Sequence, residues 1–222
     1  MIDSERIDVL VRSRTTLLDH LEDSGYDTTP WRKYSYKEID AMVPKPPAGM
    51  PPALRMVLKR REDAEEGPQE CWVYFSLTRI KQKLSGTVLK ILEPEDGSPF
   101  PALNPETTEL IIVVTEPVAA NFHTLAFDMW VKKQLRLRFF QADAIINNPL
   151  KHVLVPKHEK VPKEEEEALL QQLCAKKSQL PIIRFHEDPI ARMLGLLPQD
   201  LVKITRPSPT SGECVIYRVC LP

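Results

Sequence analysis

The sequence predicts two folded parts, an α/β domain over residues 1–145 and a small α+β domain over residues 146–222. Three observations carry this. Strand-like and helix-like segments alternate through the first part, the pattern of a layered α/β domain. Leu110–Val114 is a continuous apolar run, as expected of a strand covered on both faces. Asp188–Val219 reads as a capped short helix followed by two strands around a Ser/Thr/Gly turn.

Ser4 is placed to cap a first helix that runs to about Asp23. Ile7, Leu10, Val11, Leu17, Leu18 and Leu21 recur at three- and four-residue steps, and Gly25 suits its stop. Ser35 with Glu38 forms a capping-box pattern for a short second helix. The run Pro44–Pro52 reads as an extended connector, because proline removes a donor and fixes φ. Strands are expected at Leu54–Lys59 and Cys71–Leu77 around a charged loop. Ile80–Leu92 is expected to be helical although it contains Gly86, and the proline-rich segment 93–108 to be loop. A helix over Val118–Gln134 and a strand over Leu135–Phe140 complete the domain.

In the second part, Glu164–Glu167 falls in the first turn of a helix, and Lys176 and Lys177 lie towards its other end. Both placements have the favourable sign for the macrodipole, and the acidic run reads as a solvated face. Pro162 suits the first helical position. Asp188-Pro189 is an N-cap and first-turn pair, with Gly195 as the stop. Leu201–Thr205 and Cys214–Cys220 alternate as strands, with Val215, Tyr217 and Val219 on one face. Arg206-Pro207-Ser208 is expected to end the first strand, and Ser211-Gly212 to reverse the chain.

Composition narrows the function classes. The 222 residues carry 30 Lys+Arg and 31 Asp+Glu, a net charge of −1. Residues 1–150 hold 19 basic and 22 acidic side chains, and the remainder 11 and 9. Neither part has the basic excess of a strong independent nucleic-acid binder, so a contact with DNA would have to be local or made within an assembly. Cys71, Cys174, Cys214 and Cys220 show no CxxC spacing, which argues against a zinc site. The opening MIDSERIDVL has no apolar signal-peptide core, and no window reaches the ~18 apolar residues of a membrane span. An intracellular, reduced chain with no membrane partner is expected.

Catalytic patterns are missing. No GxSxG, GxxxxGK[ST] or GxGxxG occurs. His152 and His158 flank the strand-like Val153-Leu154-Val155. Even spacing would put both on one face of a strand, but Pro156 interrupts it and no third metal ligand is near. Glu93, Glu95 and Asp96 cluster in a Pro/Gly loop without the following acid-x-Lys strand that a metal-dependent nuclease needs. No catalytic residue, cofactor, metal or small-molecule substrate is expected. Thr115-Glu116-Pro117-Val118-Ala119 lies where a central strand gives way to a helix. Its small residues could approach a phosphate backbone, although Glu116 opposes this electrostatically.

Three segments, HVLVPKHEKV, QLPIIRFHEDPIARMLGL and VKITRPSPTSGECVIYR, together resemble the fifth-largest subunit of eukaryotic nuclear RNA polymerases, whose C-terminal part corresponds to the short archaeal form of the same subunit. The resemblance covers about residues 148–220 in order and spacing, and is looser before that. It implies a non-catalytic subunit of DNA-directed RNA polymerase. The C-terminal assembly domain would anchor on the largest subunit. The N-terminal jaw domain, built like a restriction endonuclease without its active site, would project beside downstream duplex DNA and touch it weakly and without sequence preference. It also implies that Thr115, Pro117, Val118 and Ala119 form the DNA-proximal loop. His152, Pro156, His158, Arg206, Pro207, Ser208, Tyr217 and Arg218 are then expected at the largest-subunit interface. The expected location is the nucleus, or the nucleolus for a form specific to RNA polymerase I.

The chain departs from the family pattern in places. Leu197, Pro198 and Gln199 stand where the family commonly has a basic pair and a glycine. Pro209, Glu213 and Cys214 replace a usual acid, base and aromatic, and Val161-Pro162 replaces a Thr cap. These changes leave open a polymerase-specific or viral copy. A free-standing transcription-associated adaptor of the same fold is the alternative reading.

Overall fold

The computed structural model describes residues 4–42, 52–64, 67–93, 103–210 and 212–222. The expected connector Pro44–Pro52 lies almost wholly outside these residues, as do Glu95, Asp96, Ser211 and the side chain of Ser4. The chain divides into two compact units, Met1–Asn148 and Pro149–Pro222.

The first unit opens with α1 (Ser4–Asp23), which buries Ile7, Leu10, Leu17, Leu18 and Leu21 as the helical spacing predicts. It also buries Arg14, whose guanidinium donates from Nε to the Ala53 carbonyl at 2.8 Å and from Nη2 to that of Trp31 at 2.5 Å. Gly25 follows at φ +89°, and a Cβ there would stand 2.5 Å from the Cβ of Ala64, so both conformation and space call for glycine. α2 (Tyr36–Met42) opens on the expected capping box. The Glu38 carboxylate accepts from Ser35 N at 2.7 Å and Oγ at 2.8 Å.

A four-stranded sheet follows in the order β1-β2-β3-β4. β1 (Arg55–Lys59) runs antiparallel to β2 (Glu70–Ser76), and β2, β3 (Thr108–Val114) and β4 (Arg136–Gln141) are parallel. Parallel neighbours need crossovers. α3 (Leu84–Leu92) supplies the first and α4 (Ala120–Lys133) the second. β3 is central and all seven of its residues are buried, which is why Leu110–Val114 reads as an unbroken apolar run. Phe122 of α4 meets Phe139 of β4 edge-on, with ring centroids 5.0 Å apart.

Two helices start later than the sequence suggests. Residues 81–83 form a 3-10 turn ahead of α3, and α4 begins at Ala120, not Val118, so Pro117, Val118 and Ala119 belong to the loop.

The second unit is a sheet of order β5-β7-β8-β6. β5 (Lys157–Lys160) and β8 (Gly212–Leu221) flank β7 (Leu201–Ser208) antiparallel, and β6 (Ile182–Arg184) adds parallel to β8. α5 (Lys163–Gln172) packs Leu169 and Leu170 on the core of Val161, Leu201 and Val219. α6 (Pro189–Leu194) is capped as expected. Asp188 Oδ1 accepts from Ile190 N at 2.7 Å and Ala191 N at 3.3 Å, and Gly195 closes the helix at φ +61°.

Several segments differ from what their sequence suggests. Val153-Leu154-Val155 is a turn rather than a strand. The strand begins two residues later in the polar Lys157–Lys160, because its pairing with β7 sets it and not its hydropathy. β7 does not stop before Arg206 but continues through Pro207 to Ser208. Past Thr205 it has no partner on the β5 side, an edge position where a missing N–H costs little. Pro162 is the N-cap of α5, not its first residue, and makes no side-chain cap. The helix ends at Gln172, so Lys176 and Lys177 lie beyond it. β6 was not expected at all.

Candidate functional site

Strand alternation sorts the expected interface residues of the second unit onto two sides. In the register of β7 with β8, Ile204 faces Ile216, Arg206 faces Cys214 and Val202 faces Arg218. His158 of β5 lies opposite Ile204. His158, Arg206, Ser208 and Arg218 therefore share one face, and Pro207 and Tyr217 the other. Arg206 and Pro207 are exposed, whereas Ser208, Tyr217 and Arg218 are half-buried. Tyr217 packs against the Val161/Leu201/Val219 core and lines a groove of about 490 Å³ with Lys203, Glu165 and Leu169. Arg218 Nη1 donates to the Ile182 carbonyl at 3.1 Å and so ties β8 to β6.

His152 and Pro156 bracket the turn before β5. His152 Nδ1 accepts from Leu154 N at 3.2 Å, and His158 Nδ1 donates to the Pro156 carbonyl at 2.6 Å. Both histidines thus shape the chain locally. Among the described residues, no three His, Cys, Asp or Glu side chains gather as a metal site. The turn they hold presents Val153 and Leu154 almost fully to solvent, 93% and 83% exposed. The apolar triplet was visible in the sequence, but read as strand it hid this exposure.

Beneath the same unit runs a chain of charges. Asp200, 1% exposed, receives Lys160 Nζ at 2.7 Å, Lys163 Nζ at 2.8 Å and the N–H of Leu197 at 2.8 Å. Burial works to raise the Asp200 pKa, but the two ammonium groups and the Leu197 N–H outweigh it and hold the carboxyl below its ordinary value. Glu166 is buried too, bound by Lys163 at 3.3 Å and by Lys177 at 2.5 Å. The acidic run is therefore not wholly a solvated face. One of its four carboxylates turns inward, a distinction that four identical letters do not reveal.

In the first unit, Thr115–Ala119 leaves the carboxyl end of β3. Pro117 is exposed, and Thr115, Val118 and Ala119 are half-buried. Glu116, whose charge was expected to oppose an approaching phosphate, is drawn away from the surface. It is buried, and its Oε1 accepts from Ile80 N at 2.7 Å and Lys81 N at 2.8 Å, holding the 3-10 turn after β2. Among the described residues, no helix is long and apolar enough to cross a membrane.

Comparison with known proteins falls on the second unit. Residues 147–220 match the family model described as RNA polymerase Rpb5, C-terminal domain. The DNA-directed RNA polymerase subunit Rpo5 of Archaeoglobus fulgidus is 56% identical over 68 residues, which is 31% of this chain and 88% of that one. Rpo5 of Sulfurisphaera tokodaii is 51% identical over 71 residues, 32% of this chain and 83% of that one. The similarity reaches further with the Dictyostelium discoideum protein named DNA-directed RNA polymerases I, II, and III subunit rpabc1. It is 36% identical over 116 residues, 52% of this chain and 58% of the relative. A match of this strength across nearly the whole of the archaeal subunits, on a unit that is compact by itself, means that the chain belongs to the Rpo5/Rpb5 family, the fifth subunit of DNA-directed RNA polymerases.

Proposed function

We propose that this chain is a structural, non-catalytic subunit of a nuclear DNA-directed RNA polymerase. Its second unit seats it on the largest subunit, and its first forms part of the jaw beside downstream DNA. The observation that carries the reading is the coincidence of unit and match. Pro149–Pro222 is compact on its own, and the 147–220 match covers nearly all of it. A nuclear location is favoured by the likeness to the Dictyostelium subunit named for polymerases I, II and III. The mixed sheet with its two helical crossovers is compatible with a jaw built like a restriction endonuclease without its active site.

For the seat, the 152–158 turn is the feature that fits best. Exposed aliphatic side chains on a hydrogen-bonded turn lose little conformational freedom on docking, the property of an interface anchor. Arg206 and the exposed edge of β7 extend the same unit's contact surface.

Affinity purification of the tagged chain tests both levels. The wild-type protein is expected to bring down the large polymerase subunits in stoichiometric amount. The Val153→Asp/Leu154→Asp variant is expected to keep the wild-type melting temperature, since neither side chain is buried, and to lose at least about tenfold of the recovered polymerase, the equivalent of ~1.4 kcal/mol. Recovery of the wild-type chain without polymerase would refute the subunit reading and favour a free-standing adaptor. Full recovery by the double variant would refute the anchor alone.

A further inference from the structure

We infer that Arg79, Lys81 and Lys83 form a contact for the phosphate backbone of duplex DNA. The inference rests on the reading of the chain as a polymerase subunit and adds to it a surface outside the 115–119 loop.

β2 and β3 are parallel, with Ser76 opposite Val114, so the segments that follow them emerge at the same carboxyl edge. Here the two segments are joined. Glu116 accepts from the N–H groups of Ile80 and Lys81, and Asn121 Nδ2 donates to the Lys81 carbonyl at 3.3 Å.

That junction has an electrostatic consequence. The only acid of the 115–119 loop is drawn inward, and its charge is satisfied by two backbone donors. The turn it holds carries three exposed cations within five residues, at positions 79, 81 and 83, and none of them has an ion-pair partner among the described residues. The exposed acid that follows the neighbouring strand β4, Asp143, lies within 3.5 Å of Gln141 Nε2. Beside the cations lie the short uncharged side chains of Thr115, Pro117, Val118 and Ala119, which leave room for a backbone to come close.

Exposed cations without an ion-pair partner among the described residues, next to low, uncharged relief, suit phosphate contact, which positions a duplex without reading its sequence. The charge is local. Residues 1–150 carry 19 basic and 22 acidic side chains, so binding is weak and dominated by this patch.

The test uses the full-length chain and a short fluorescent DNA duplex, with affinity measured by anisotropy over a series of low salt concentrations. Each phosphate contact contributes about 0.9 to the slope of log K against log salt. The Arg79→Gln/Lys81→Gln/Lys83→Gln variant is expected to lower that slope by about 2 to 3. The charge-preserving Arg79→Lys/Lys81→Arg/Lys83→Arg variant is expected to retain it. A control that removes three exposed cations elsewhere in the same unit, Lys37→Gln/Lys59→Gln/Lys132→Gln, is expected to leave the slope near wild type.

An unchanged slope in the first variant, an equal loss in the control, or no binding by the wild type would each overturn the proposal. Affinity for an acidic peptide equal to that for the duplex would overturn its assignment to DNA. None of these outcomes depends on co-purification with polymerase, so failure of the patch and failure of the subunit reading are separable.

Discussion

Gln199 shows how one position can carry both history and strain. It stands where the resemblance places a glycine, and its φ is +76°, in the left-handed region that side chains with a Cβ avoid. The conformation is held from both sides. Its N–H donates to the Cys220 carbonyl at 2.8 Å, and its own carbonyl accepts Lys177 Nζ at 2.9 Å. Gln199→Gly should relieve the steric cost while adding some freedom to the unfolded chain, for a net gain of up to about 1 kcal/mol. Gln199→Val should do the opposite, since a β-branched side chain tolerates positive φ least. Urea denaturation midpoints would check the order glycine above glutamine above valine, and a glycine variant below wild type would show that the site is not strained. The departure from the family pattern was legible in the sequence. The sign of φ was not, because it depends on where β8 receives the N–H.

At the scale of the element, α5 is a helix whose apolar stripe is thin. Leu169 and Leu170 pack on the core, and its N-cap is a proline with no side-chain bond to offer. The ion chain through Lys163, Asp200, Glu166 and Lys177 ties it to the 197–200 loop and to Lys160 of β5. This link depends on pH. A carboxyl whose folded pKa lies below its unfolded value, ordinarily near 3.9, adds stability that is fully present above that value and is lost as pH falls through the folded one. Asp200→Asn should therefore destabilise the unit at neutral pH by about 1.5–3 kcal/mol, the range for hydrogen bonds to charged groups. It should also flatten the loss of stability below about pH 4. Thermal melts at neutral and acid pH would read both effects, and equal acid sensitivity in the two proteins would exclude Asp200 as a source of it. The start of this helix was readable from the Glu run, but the Lys pair placed its end too late, since it stops at Gln172. Which carboxylate turned inward was decided by the strand and loop beneath, which sequence spacing does not specify.

At the scale of the whole molecule, the compactness of Pro149–Pro222 predicts independence. A chain this short buries a modest fraction of its surface and has a small margin. Yet relatives matched over 88% of their length are little longer than this unit. Residues 149–222 expressed alone should melt in one cooperative transition by far-ultraviolet circular dichroism, and a gradual, non-cooperative loss of signal would contradict this. The sequence by itself determined most of the elements: the parallel core strand, the caps at Ser35 and Asp188, the stops at Gly25 and Gly195, and the likeness in the last third of the chain. These rest on local rules, since periodicity, capping and left-handed turns are properties of a few adjacent residues. Only the tertiary structure decided which side chains face outward together. It turned Val153 and Leu154 to solvent, drew Glu116 and Glu166 inward, and carried Arg206 and Pro207 on into the strand, where they fall on opposite faces. Those outcomes depend on partners distant in sequence, and for the two strand residues on a register that a shift of one would reverse.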